Sequence, residues 1–509
     1  MEARARSSAG EHRSITSSLM LGVGGLIVIA VIGAVATHAL VVHFGPEDYG
    51  ILTLALSAAA TIQGLTEFGQ TQLLQREIAR APLHESELLS DSLSLRFTST
   101  LAVSVIAGIV LIAIYARHSH ITAVALILAL AAVPLASASQ ALGAHFYHRL
   151  RNARLVYSQI AQQILYFGFV ILVVSLGLSV SWAAATTLAA TIPVFIVLVV
   201  MVHRVAPLRY SIHVDRWKKT LVSAAPLGAS SLLGAVYLKA DVLILGVEGT
   251  HRQIGQYGVA IAINSFFFTL PTQLTRVFMP VISRAGEKWL PAGQDLIHWA
   301  WIVGLASFTS LLAGAPYVVH VFAGAQYHDA VTPLRILGGS IPAIAVGSAL
   351  TALCVARGYA KMLGVISASM LVINVISNII VIPHYGIVGS AWATTVCEYV
   401  GVVLVAIHFA RRSGTATSRL HRPLGLVAAL GTSLLLVYLT WRWTATTVHF
   451  AMGQVMVLGS LVSVLGLTGY LPRTLMTWLL GGRHHKEAWW HRILDPRGFH
   501  RREHRQRGA

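Results

Sequence analysis

From Leu19 to Leu471 the chain alternates long apolar runs with short polar interruptions, roughly fourteen times over. The runs cover approximately 18–43, 49–70, 96–116, 121–146, 156–178, 181–203, 221–247, 256–281, 299–323, 336–356, 361–383, 387–410, 424–445 and 450–471. A helix needs ~20 apolar residues to cross a hydrocarbon core ~30 Å thick, and each run supplies about that many. A helix of a soluble domain keeps one polar face for water, which these runs lack. The pattern predicts an all-α polytopic membrane protein of about fourteen transmembrane helices. The link 177–181 is so short that spans 5 and 6 must form a tight antiparallel pair. Pro134, Pro193, Pro226, Pro271 and Pro342 fall inside spans, where neighbouring helices can satisfy the backbone groups that a kink frees.

Composition agrees: 55% of residues are hydrophobic and 11% charged, with a mean hydropathy of +0.70. The net charge of +18 could suggest nucleic acid, but its distribution argues otherwise. With the N-terminus in the cytoplasm, 32 of the 37 Lys and Arg residues fall in cytoplasmic segments. The external loops hold Arg117, Arg252, Arg335 and Arg442, and Lys239 lies within a span. Such a bias, repeated through every loop, places both termini in the cytoplasm and requires an even number of spans. The first apolar run is too long for a secretory signal and the chain continues in membrane, so an uncleaved first helix is expected. Cys354 and Cys397 both fall in spans and read as packing residues.

The chain also repeats itself. Tyr49-Gly50 and Tyr257-Gly258, Arg76 and Arg284, Arg149 and Arg357, and Ala185-Thr186-Thr187 and Ala393-Thr394-Thr395 are all separated by 208 residues. Each pair occupies matching positions six spans apart, an even number, so the two halves share one orientation. Parallel repeats of this kind are a transporter architecture, with the substrate path where the halves meet. The expected organisation is a cytoplasmic tail at 1–14, an N-lobe at 15–210 (spans 1–6), a C-lobe at 211–412 (spans 7–12), an added helix pair at 413–472, and a basic cytoplasmic tail at 473–509.

Several stretches resemble the signatures of polysaccharide flippases. GPEDYG (45–50) with TEFGQTQLLQREIAR (66–80), and YLKADVLILG (237–246) with IGQYGVA (254–260), open the two halves. PLRILGGSIP (333–342) and PHYGIVGSAWATTVCE (383–398) resemble the stretches that lead into spans 10 and 12. The chain is similar, over about 15–412, to the Wzx-like O-antigen and exopolysaccharide exporters of the multidrug/oligosaccharidyl-lipid/polysaccharide superfamily. The resemblance implies two six-helix lobes around a central cavity that opens alternately to the two faces. It implies a cargo of undecaprenyl-diphosphate-linked oligosaccharide, moved to the outer leaflet of the bacterial inner membrane. The pathway's polymerase and glycosyltransferases would then be partners. The added helix pair keeps a peptidoglycan lipid II flippase open. A multidrug or organic-cation antiporter would prefer buried carboxylates, and a membrane glycosyltransferase would need a large external loop, which no interval between spans provides.

The chemistry must sit in the few polar residues inside spans, which by default face a cavity or a partner. Lys239 and Asp241 stand in span 7, ~200° apart if the helix is continuous. Lys239 and Arg276 are the cations best placed to meet a diphosphate; Asp241 and His38 are further cavity candidates. Gln159 and Gln163 in span 5, and Asn374 and Asn378 in span 11, lie four residues apart on one helix face each. They can hydrogen-bond sugar hydroxyls or join helices at ~0.6 kcal/mol per bond. Glu67 and Glu398 are candidates for ion coupling, with Glu67 alternatively held by its own loop or by Arg76. No Gly-rich phosphate loop, metal-ligand cluster or nucleophile–base set appears, so neither ATP nor a cofactor is expected. The tail 483–509 mixes Arg and His with Trp489, Trp490, Ile493, Leu494 and Phe499, a composition suited to anionic lipid surfaces.

The charge pattern makes a direct prediction. Cysteines introduced at Thr250 and His384 should react with an impermeant thiol reagent outside intact cells, and one at Arg216 should not. Labelling of position 216 from outside would overturn the orientation.

Overall fold

The computed structural model of the chain describes residues 2–115, 119–148, 152–285, 289–359 and 362–413, with positions 454 and 459. The added helix pair and the basic tail therefore lie outside the described residues, apart from those two positions. Among the described residues all regular structure is helical. The α-helices are α1 (Glu2–Glu67), α2 (Gln70–Arg80), α3 (Glu85–Tyr115), α4 (His120–His148), α5 (Asn152–Ser175), α6 (Val180–His203) and α7 (Val214–Tyr237). They continue as α8 (Ala240–Glu248), α9 (His251–Ala285), α10 (Leu290–Ala323), α11 (Val331–Gly338), α12 (Ile341–Ala356) and α13 (Leu363–Ser413).

Eight segments of the described residues are long and apolar enough to cross a membrane. Two of them, Val28–Arg80 and Leu363–Ser413, are 53 and 51 residues long and each carries two of the expected spans. Their joints are glycines: Gly45 at φ 71°, ψ 177° in α1, and Gly386 at φ 55°, ψ −135° in α13. Only glycine adopts these conformations without strain. The helices at expected spans 7 and 8 form but are not among the eight; they hold Lys239, Asp241, Asn264, Gln273 and Arg276.

The burial pattern of α3 explains why this is a membrane fold. It buries Ser90, Ser94, Arg96, Thr100, Ser104 and Gly108, while Val105, Ile106 and Ile109 are 54–67% exposed. Water would invert that arrangement, since apolar surface is driven inward. In a bilayer the outward isoleucines meet lipid, and small and polar residues bring helices close enough to bond. The protein is a multi-pass, all-α membrane protein.

Two further pairs of residues recur at or near the 208-residue offset. Spans 5 and 6 turn at Gly177 (φ 62°), and spans 11 and 12 turn at Gly386, 209 residues later. Pro134 inside α4 and Pro342 at the start of α12 stand at the 208-residue offset.

The residues pack into two compact units: Met1–Ala262 with Val319–Pro333 and Ser367–Ala393, and Ile263–Val318 with Leu334–Ile366 and the residues from Thr394. The packing boundary thus differs from the repeat boundary. In the first unit, Leu74, Ile78, Leu89, Leu142, Phe146, Leu198 and Val202 from α2, α3, α4 and α6 form a closed core. The 204–213 connection runs along α3 against a stripe of hydroxyls four residues apart. Ser90 Oγ accepts from the Arg209 amide (3.0 Å) and Ser94 Oγ from the Ser211 amide (3.1 Å), while Ser86 donates to the Pro207 carbonyl. Arg216 then bonds Glu87 and Asp91, which hold its guanidinium still more firmly protonated.

In the second unit, span 10 is interrupted between α11 and α12. Hydroxyls add bonds to the carbonyls there, beside the backbone bonds that Ile336 and Leu337 also accept: Thr395 donates to Ile336 (2.9 Å), Tyr399 to Gly339 (3.0 Å) and Ser340 to Leu337 (2.6 Å). Trp289 meets Phe409 edge-on at 5.6 Å, and Arg357 lies over the Trp289 ring.

The tightest crossing joins the repeated Tyr-Gly stretches. A Cβ on Gly50 would lie 1.8 Å from the His251 carbonyl oxygen, and one on Gly255 1.8 Å from that of Pro46. Backbone meets backbone there, so no side chain can yield. Gly255→Val should therefore destabilise by at least the ~1–3 kcal/mol typical of overpacking, seen as a lower thermal midpoint of the detergent-purified protein. An unchanged midpoint would show that the crossing can open freely.

Candidate functional site

The site begins with a broken helix. Span 7 is not the continuous helix its apolar pattern suggests: α7 ends at Tyr237, and Lys239 (φ −132°, ψ −4°) precedes a separate α8. The expected ~200° separation of Lys239 and Asp241 on one helix therefore does not apply. Instead, Asp241 sits in the first turn of α8, where exposed amides and the helix dipole favour an anion. Its Oδ1 accepts from the Val242 amide at 2.8 Å. Lys239, half-buried at the break, is near enough to act electrostatically on that carboxylate.

From Asp241 a buried polar chain runs through two other helices. The Tyr257 hydroxyl on α9 donates to Asp241 Oδ2 (2.9 Å) and accepts from Ser390 on α13 (3.3 Å) when Ser390 donates to it. Ser390 Oγ also lies 2.8 Å from Asn378 Oδ1, a second acceptor for the same proton. Asn378 Nδ2 donates to the Asn374 carbonyl (2.9 Å) and lies 3.2 Å from Asn374 Oδ1. Asp241, Tyr257, Ser390, Asn374 and Asn378 are all at most 8% exposed. The Gly386 joint brings Ser390 back against Asn378, so the expected amide pair of span 11 is held by this chain. Tyr257 and Ser390 were absent from the expected site. The Tyr-Gly repeat marked the first, whereas a lone serine in an apolar run carries no signal.

Gln159 and Gln163 lie apart from this chain. With Ile29, Gln162, Tyr166, Thr187 and Ala190 they line a cavity of about 460 Å³ between α1, α5 and α6.

The remaining expected residues have structural settings. His38 donates from Nδ1 to the Phe322 carbonyl at 2.7 Å, with its ring beside that of Phe322. Glu67 closes span 2 and caps the next helix: its carboxylate accepts from the Gly69 (3.0 Å) and Thr71 (3.2 Å) amides. The break between them holds Phe68 at φ 38° and Gly69 at φ 67°, so the acidic-Phe-Gly signature is a helix interruption with its own cap. The partner of Glu67 is Arg96, at 3.8 Å, and not Arg76. Arg96, counted among the cytoplasmic charges, is fully buried and donates to Thr71 Oγ1 (2.7 Å) and the Ser137 carbonyl (3.3 Å). Glu398 is half-buried on α13. Arg276 lies on α9, with its side chain outside the described residues.

With this geometry in hand, comparison with known proteins decides the family. The model of the polysaccharide biosynthesis protein family matches residues 14–286. The chain belongs to that family. It is 28% identical over 187 residues to a probable low-salt glycan biosynthesis flippase, Agl15, of Haloferax volcanii, a match that covers 35% of this chain and 39% of that relative's length. Its fold resembles the lipid II flippase MurJ in an inward closed conformation, with a TM-score of 0.70 and 15% identity over 90% of this chain and all of that one. It also resembles an inward-facing multidrug resistance MATE family transporter of the MOP superfamily, with a TM-score of 0.63 and 16% identity over 76% of this chain and 94% of that one. At these identities the structural likeness establishes the fold.

The buried chain makes a stability prediction for this family member. Asn378→Ala removes the acceptor near Ser390 and the bonds back to Asn374. Membrane hydrogen bonds average ~0.6 kcal/mol each, and a buried group left unpaired costs ~1–3 kcal/mol. The variant should lose about 1–2 kcal/mol, read as a lower thermal midpoint. A midpoint equal to wild type would mean that the chain contributes nothing to the fold.

Proposed function

We propose that the protein is a flippase that carries undecaprenyl-diphosphate-linked oligosaccharide from the cytoplasmic to the outer leaflet of the inner membrane. The observation that carries this reading is the interruption of expected span 7, which leaves Lys239 half-buried at the break and Asp241 buried beside it in a chain of the polysaccharide biosynthesis family. A diphosphate cannot cross hydrocarbon bare, because desolvating an unpaired charge costs far more than any single contact returns. Lys239 offers a cation on that path, and Arg276, by its place in α9, offers a second. The repeat halves, 15–210 and 211–412, would open alternately to the two faces, with both termini in the cytoplasm.

The energy source is best assigned to Asp241. The carboxylate is deeply buried and bonded mainly by the neutral Tyr257 hydroxyl and Val242 amide, so binding or loss of a proton or cation there changes its energy strongly. Loading and release of that positive charge would change the interactions within the α8, α9 and α13 chain, and so bias one conformation over another. Glu67, engaged in capping α2, suits a structural role better. The likeness to lipid II and multidrug transporters favours no cargo, since it reports fold. Anionic lipids along the cytoplasmic tail, and the polymerase and glycosyltransferases of the pathway, are the partners this reading implies.

Complementation of a flippase-deficient strain tests it, with surface glycan and membrane expression scored together. Lys239→Ala should reduce export by about tenfold or more at normal expression, and Lys239→Arg should be milder because the charge survives. Asp241→Asn keeps the volume and most hydrogen bonds, so it should leave the protein folded but abolish dependence of export on the ion gradient. Export at the wild-type level in Lys239→Ala would sink the cation requirement. Efflux of an organic cation without glycan export would favour the antiporter.

A further inference from the structure

None of the charged residues discussed above lines the cavity between α1, α5 and α6. Gln159, Gln162, Gln163, Tyr166 and Thr187 supply its polar lining, Ile29 and Ala190 its apolar lining, and its volume is about 460 Å³. That is within the ~300–1,000 Å³ typical of ligand cavities. Its depth is notable. Gln159 to Tyr166 lie 7 to 14 residues into α5, and Thr187 lies 7 residues into α6, so at 1.5 Å per residue the lining sits ~10–20 Å from the helix ends. Gln162 and Gln163 lie 6 and 7 residues into expected span 5 and are half-buried, and amides at that depth in a membrane protein are costly unless something bonds them.

The lining is also held in place. Gln162 Nε2 donates to Thr191 Oγ1 at 3.1 Å, which fixes that amide. A Cβ on Gly33 would come within 3.3 Å of Gln163 Nε2, and one on Gly25 within 2.3 Å of Val156. The two glycines of α1 therefore let α5 approach while leaving room beside Ile29, midway between them.

We propose that this cavity is a subsite for a neutral sugar residue of the cargo; the proposal rests on the flippase reading above. The lining contains no Asp, Glu, Lys or Arg, so it offers nothing to a diphosphate or an organic cation. An acyl chain would offer no hydrogen bond to Gln163 or to the side-chain carbonyl of Gln162. A polyhydroxylated, uncharged ligand satisfies them, since each amide both donates and accepts, and the Tyr166 ring and Ile29 can face the sugar's C–H surface.

Native mass spectrometry of the full chain tests this with two probes: undecaprenyl diphosphate, and the same lipid bearing one N-acetylhexosamine on its diphosphate. The sugar-bearing lipid should bind the wild type about tenfold more tightly than the bare lipid. In the double variant Gln162→Leu/Gln163→Leu that advantage should vanish while the bare lipid binds as before, which also shows the variant to be folded. The milder Gln163→Asn should keep part of the advantage, and Lys239→Ala should weaken both lipids alike. An advantage that survives the double leucine variant, or a wild type that binds both lipids equally, overturns the subsite and leaves the flippase reading standing. A wild type that binds neither lipid overturns both.

Discussion

Inside a bilayer a helix can be interrupted only where other groups take over the hydrogen bonds it gives up, because the hydrocarbon offers none. Three interruptions among the described residues obey that constraint, and polar chemistry collects at them. Glu67 caps α2 where span 2 breaks at Phe68 and Gly69. Asp241 bonds its neighbouring amide where span 7 breaks at Lys239. Thr395 and Tyr399 add bonds to carbonyls where span 10 breaks. A charged or hydroxyl-bearing residue in a span therefore need not contact cargo to be required. Glu67 shows this, since its two oxygens are engaged with backbone and its charge faces Arg96.

Asp241 differs from Glu67 in what surrounds it. The Glu67 carboxylate lies within reach of a guanidinium, whereas the oxygens of Asp241 meet a hydroxyl and an amide, with Lys239 acting at longer range. An anion neutralised by a fixed cation gains nothing by binding another. One held mainly by neutral donors remains responsive to a proton or metal ion, and here it is wired through Tyr257 and Ser390 to the two asparagines of α13. That wiring joins residues up to 149 positions apart, Asp241 to Ser390, so a change of charge at one carboxylate is felt on three helices.

Much of the fold was legible because the bilayer imposes a length and a polarity that residues cannot evade. The expected spans from 96–116 to 181–203 coincide with α3 to α6, and the short link at 177–181 is the turn at Gly177. The break in span 7 was not legible: apart from Asp241, Ala-Asp-Val-Leu-Ile-Leu reads as apolar helix, and the bond from Tyr257 that Asp241 accepts beside the break is a tertiary contact. Arg96 misled for a related reason. Charge counting treats any arginine beside a span as topogenic, and only packing reveals that this one is enclosed by α2 and α4 through Thr71 and Ser137. The glutamines of span 5 were visible as an i,i+4 stripe. That they line a cavity, with Gln162 and Tyr166 from the same helix, depends on glycines in α1 that no periodicity marks.

If the 208-residue repeat proposed from the sequence is a duplication, it relates the two polar sites position by position. At the 208-residue offset the counterpart of Asp241 is Gly33, and that of Asn374 is Tyr166. Gly33 makes room for Gln163, and Tyr166 lines the neutral cavity. Corresponding positions of the repeat therefore hold a carboxylate chain in one half and an uncharged pocket in the other. The shared Tyr-Gly stretches, with Gly50 and Gly255 in backbone contact, tie the two halves together. A cargo with a charged head and neutral sugars presents two recognition problems that no single lining solves, because groups that attract a diphosphate are hydrated strongly and serve a sugar poorly. Under the flippase reading proposed above, divergence at these repeat positions would let one fold address both.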